Sequence, residues 1–95
     1  TGVPMGWNAD VVATAKRDLR PGELLDGEGG YTVWGKLLPA ARSRSIGGLP
    51  LGLAHGVKLV RPVAKGQSLS WDDVAMDTGS AAYRVRREME AMFSI

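Results

Sequence analysis

The sequence predicts a mainly β domain, small and single, finished by an amphipathic α-helix at its C-terminal end. Three observations carry that expectation. Short runs of β-branched and small apolar residues sit between Gly and Pro turns, as at "DVVATA" (10–15) and "YTVWGKLLP" (31–39). One strand-and-turn unit occurs twice along the chain. Beyond residue 80 the apolar positions begin to recur at three- and four-residue steps. At 95 residues the chain makes one domain with a modest core.

Residues 1–9 hold Gly2, Pro4 and Gly6 without periodicity and read as an irregular lead-in; the β domain then runs over 10–77. The first strand is expected at 10–15. Pro21-Gly22 suits the centre of a type II turn, because proline presets φ and glycine accepts a positive one. A second strand is expected at 31–39, interrupted by Gly35 and stopped at Pro39. "AARSRSIGGLPLG" (40–52) reads as a loop, being small, polar and rich in glycine. In "HGVKLVRPV" (55–63), Val57, Leu59 and Val63 share one face and Val60 the other, while Pro62 disfavours a central strand. "AKGQSLSWDDV" (64–74) repeats the turn followed by an apolar run.

Setting Gly22 over Gly66 makes the repetition explicit. Arg17 then falls on Arg61, Leu25 on Leu69, Leu19 on Val63 and Glu23 on Gln67; Ala13 and Ala15 meet Val57 and Leu59. The shared order predicts two copies of one unit paired about a pseudo-symmetric core. Two copies are too few for a solenoid.

The C-terminal segment, 78–95, carries Ala82, Val85, Met89, Met92 and Phe93 on one helical face, with Arg84, Arg86, Arg87, Glu88 and Glu90 supplying the polar side. Thr78 or Ser80 is the expected N-cap. The apolar face is expected to pack on the β domain, a partner surface being the alternative.

Composition removes several function classes. There is no cysteine, so disulfides and thiolate metal sites are absent. No apolar run is long enough to span a membrane, and no signal-peptide pattern is visible. Net charge is +2, with basic residues in small sets among acids. Nucleic acid would ask for a denser basic stripe with interleaved aromatics, so none is expected as a partner, nor is a membrane. The chain opens on Thr1 without an initiator methionine and is read as a piece of something longer. A dinucleotide-binding fold needs considerably more chain.

The candidate sites are few. Gly27-Glu28-Gly29-Gly30 would cradle a phosphate only between a strand and a helix N-terminus, and here Tyr31–Trp34 are strand formers; the stretch reads as a turn. His55 is the single histidine, and no other strong ligand stands at suitable spacing for zinc. Asp72 and Asp73 are adjacent, which is not the arrangement of two carboxyl groups across a glycosidase groove; they read as a short helical start capped by Ser70. Trp34 and Trp71 are assigned to the core, and Trp7 to packing outside this domain. No catalytic, cofactor-binding or metal residue is expected. His55, Trp7, Lys36 and Arg61 remain as ligand or interface candidates.

The duplicated stretches "AKRDLRPGELL" (15–25) and "VRPVAKGQSL" (60–69) resemble the two signature turns of SAF domains, shared by type III antifreeze proteins, the C-terminal module of sialic acid synthases, flagellar P-ring chaperones and altronate dehydratases. The resemblance spans about residues 10–76 and implies a compact β-clip fold. Function varies widely across such relatives. A narrower resemblance joins residues 11–40, 49–74 and 86–90 to the C-terminal region of homoserine-dehydrogenase-like NAD(P)-binding oxidoreductases. It implies a non-catalytic accessory domain of a cytoplasmic parent, with NAD(P) bound upstream, the parent's own domains as partners and homo-oligomerisation open. Around "YTVWGKLLPA" the chain is also similar to altronate dehydratases, but Asp26–Gly30 stands where they carry a histidine-containing metal-associated motif, which counts against that chemistry. A free-standing sugar or sugar-acid binding module and an assembly chaperone are the alternatives.

Overall fold

The computed structural model describes residues 9–93, with side chains through residue 92. Strand β1 (Ala9–Ala15) pairs antiparallel with β3 (Val33–Pro39), in register from Ala9 opposite Pro39 to Ala15 opposite Val33. A second sheet is ordered β2 (Leu24–Asp26), β4 (His55–Leu59), β5 (Val74–Ala75), again antiparallel. The fold is thus mainly β, closed by the C-terminal helix α2 (Ala81–Phe93).

Between the sheets lies one core. Leu19, Leu25, Leu49, Leu59, Leu69 and Val33 are its largest buried members, and Leu51, Leu53, Val57, Trp71 and Met76 close over it. Each such leucine contributes about 1.5–3 kcal/mol relative to exposure. The strands are too short to satisfy their backbone by pairing alone. Isolated bridges complete the network: Val12 and Thr14 of β1 to Pro50 and Ser68, and, outside the strands, Leu19 to Val63 and Gly48 to Ser70.

The predicted internal symmetry is present in the hydrogen bonds. The Leu19 and Val63 amides donate to each other's carbonyls, at 2.8 and 3.1 Å. The Gly22 amide donates to Leu59 at 2.7 Å, and its counterpart Gly66 donates to Ala15 at 2.9 Å. Both glycines hold positive φ, +94° and +85°, as the turn geometry requires.

Three expectations need correction. The 40–52 segment is not a loop throughout: α1 (Ala40–Ile46) opens on Pro39, whose ψ of 141° places it just outside the helix. It ends in a Schellman motif, with Gly47 left-handed at φ +63° and the Gly47 and Gly48 amides bonded to the Arg44 and Ser43 carbonyls at 3.1 and 2.8 Å. Ala40, Ala41, Arg42 and Arg44 are good helix formers, and the Gly47 C-cap closes the short helix they begin after Pro39. Trp34 is not in the core, being 42% exposed. Strand alternation turns Val33 inward and puts Trp34 with Lys36 on the other face. Finally, β3 begins at Val33 rather than Tyr31, and β4 stops at Leu59 before the Arg61-Pro62 bend. Trp71 packs against the core as expected; Trp7 lies outside the described residues.

Candidate functional site

The Gly-rich turn does hold an anion, but one of the chain's own. The Asp26 carboxylate accepts the Tyr31 and Thr32 amides at 2.7 and 3.0 Å and the Thr32 hydroxyl. The Gly30 amide is bonded to the Gly27 carbonyl at 3.2 Å, and Lys16 Nζ to the Gly30 carbonyl at 2.5 Å. The Thr32 hydroxyl, then the Tyr31 amide, hold the Asp26 carboxyl down to about 2. The Gly30, Tyr31 and Thr32 amides of this turn are therefore already engaged. His55 stands opposite Asp26 in the β2–β4 pairing, against Gly27. Among the described residues, no group of three or more His, Asp or Glu is placed to hold a metal.

Helix α2 attaches to the body by its polar side. Arg86 makes a bidentate pair with Asp10, Nη1 to Oδ1 at 2.9 Å and Nη2 to Oδ2 at 2.5 Å, and its Nε bonds Glu90 at 2.8 Å. The Ser43 hydroxyl of α1 donates to the same Asp10 oxygen at 2.5 Å. Burial works to raise the Asp10 pKa, but the bonds from Arg86 and Ser43 outweigh it and hold the carboxyl below its ordinary value. Tyr83 meets Trp71 edge-on, ring centroids 5.3 Å apart, and the Arg87 guanidinium lies 5.0 Å above the Trp71 ring. Ser80 caps the helix, its hydroxyl accepting the Tyr83 amide at 3.2 Å. A cleft of about 580 Å³ remains between α2 and the α1–Gly48 corner.

The consequence for the opposite side of α2 overturns the expected packing. Val85 is 64% and Met92 77% exposed, with Ala82 beside them. At 3.6 residues per turn, the docking set Tyr83, Arg86, Arg87 and Glu90 is centred roughly a third of a turn from the apolar set. The helix therefore packs at home through Tyr83 and its charged side, leaving Val85 and Met92 outward and Met89 half-buried, while the Phe93 side chain lies outside the described residues.

A second concavity, about 550 Å³, lies between β3, α1 and residues 61–70. It brings together two of the four sequence candidates, Lys36 and Arg61, and adds Arg42, Gln67, Ser68 and Ser70. His55 is not among its lining residues. Sequence reading missed Arg42, because α1 was not expected to aim it here. It also missed Asp10, whose partner lies 76 residues away with no local pattern to announce it.

No helix among the described residues is long and apolar enough to cross a membrane. No curated protein matches the chain. A family model, the SAF domain, matches residues 10–75, the two sheets and everything between them. On that match, supported by the doubled strand–turn unit and its two-fold hydrogen bonds, the chain belongs to the SAF domain family.

Proposed function

We propose that the chain is a non-catalytic accessory domain of an NAD(P)-dependent oxidoreductase, docked on the parent's upstream domains through α2, where it supports cleft shape, stability or oligomerisation. Membership of the SAF family favours a binding or assembly module over a catalytic one. The observation that carries docking is the orientation of α2. A helix held by a buried ion pair and a tryptophan edge, with Val85 and Met92 turned outward, leaves apolar area for a second surface. Covering side chains of that size is worth about 1.5–3 kcal/mol each. The oxidoreductase context is supported by the resemblance of residues 11–40, 49–74 and 86–90, and NAD(P) would be held upstream.

The test compares Val85→Glu/Met92→Glu in the 95-residue chain and in the full-length gene product. The substitutions should leave melting of the 95-residue chain unchanged and lower that of the full-length protein. Equal melting in both settings would remove the docking role. Titration of the full-length protein with NADPH checks the parent: saturable binding there, and none to residues 1–95, is expected. Absence of binding by the full-length protein would remove the oxidoreductase context.

A further inference from the structure

The two copies differ at several charged positions, and one of these breaks, Gln67 in place of Glu23, falls in the groove. In the first copy Arg17 is neutralised: its Nη2 bonds Glu23 Oε1 at 2.7 Å, while Glu23 Oε2 accepts the Arg20 amide at 2.7 Å. In the second copy Gln67 replaces Glu23. Its Oε1 still accepts the equivalent amide, that of Ala64, at 3.2 Å. The turn is preserved, but the carboxylate is gone, and Arg61 has no ion-pair partner among the described residues.

Two more cations reach the same groove from other elements, Lys36 from β3 and Arg42 from α1, and neither forms an ion pair among the described residues. The one carboxylate lining the groove, Asp73, is occupied by the Ser70 amide at 2.8 Å and hydroxyl at 3.2 Å. With Gln67 Oε1 engaged, its amide nitrogen is the end left to donate, and arginine guanidinium groups match oxyanions in bidentate geometry. The volume, about 550 Å³, is that of a small-molecule site.

We infer that this groove binds a small oxyanion ligand, through the carboxylate or phosphate of a small molecule, with Arg61, Arg42 and Lys36 as its charge-bearing contacts. No α2 residue lines it, so the inference stands independently of the docking role.

The experiment is an amide NMR titration of the 95-residue chain with inorganic phosphate and, separately, with citrate. Saturable shifts centred on Lys36, Arg42, Gln67 and Ser68 are expected from at least one. Response to phosphate alone identifies a phosphoryl group, and response to citrate alone identifies carboxylates. Arg61→Ala and Arg42→Ala should each weaken binding about tenfold or more. Gln67→Glu, which restores the first copy's neutralising carboxylate, should weaken it comparably without lowering the melting temperature. Lys58→Ala, a β4 cation outside the groove, should leave binding unchanged. No saturable shift with either anion would overturn the inference. So would shifts spread equally over Lys16 and Arg20, or undiminished binding by Gln67→Glu.

Discussion

Leu19 and Val63 exchange both backbone hydrogen bonds, at 2.8 and 3.1 Å, and each is 2% exposed. They are the same position of a repeated unit meeting itself across the internal two-fold. The centre of the domain is therefore a contact that neither copy can make alone. Leu19→Ala should cost about 2–5 kcal/mol, since it opens a cavity where both copies meet. Urea unfolding measures this, and a single cooperative transition should persist.

The symmetry also sets an expectation for the turns. Gly22 and Gly66 hold φ of +94° and +85°, and a Cβ at either would meet nothing within 4 Å. Alanine at each should therefore cost backbone strain alone, about 1–2 kcal/mol, and similar amounts at both sites. Gly35→Ala fails for a different reason. Its Cβ would stand 2.6 Å from the side chains of Val11 and Leu51, so those side chains must move. Thermal melts of the three variants separate strain from collision.

Arg86 joins α2 to β1 through Asp10, with side-chain exposures of 11% and 6%. Arg86→Ala should destabilise by about 3 kcal/mol, the low end for breaking a buried pair, because Ser43 still satisfies Asp10. The helix should loosen at the same time, seen as a red shift in Trp71 emission as Tyr83 and Arg87 leave its ring. Removing residues 80–95 should reproduce that shift.

Acid should act through the carboxylates held by hydrogen bonds. The folded Asp26 pKa, about 2, lies below its ordinary 3.8. Its contribution is therefore complete above the unfolded value and is lost as pH falls through about 2. Asp10 and Glu23, both lowered, add in the same direction. Stability should decline from about pH 4 downward, and Asp26→Asn should make that decline shallower.

Much of the fold was legible because it is written locally. Leu19, Leu25, Leu59, Val63 and Leu69 were visible as matched apolar positions, and Pro21-Gly22 as a turn. What was illegible depended on contacts distant in sequence. The strands β2 and β5 are too short for alternation to show, and α1 is only seven residues, bounded by Pro39 and closed by the Gly47 C-cap. Trp34 lies within a patterned strand segment, which points to the core, whereas pleat alternation beside Val33 turns it outward. The face by which α2 docks depends on Asp10, so hydrophobic periodicity alone pointed to the wrong side. In the groove, Lys36 and Arg61 were legible as unassigned cations. The Glu23–Gln67 mismatch already carried the signal that Arg61 lacks its carboxylate, while Arg42 required α1.

Nuclear Overhauser contacts in a methyl- and aromatic-labelled sample of the 95-residue chain test the orientation of α2, on which the docking role depends. Contacts between the Tyr83 ring and the Trp71 indole are expected, with none from the Val85 and Met92 methyl groups to the β domain. Val85 or Met92 methyl contacts to core residues such as Leu49 or Leu69 would contradict it, because the apolar face would then be spent inside the domain.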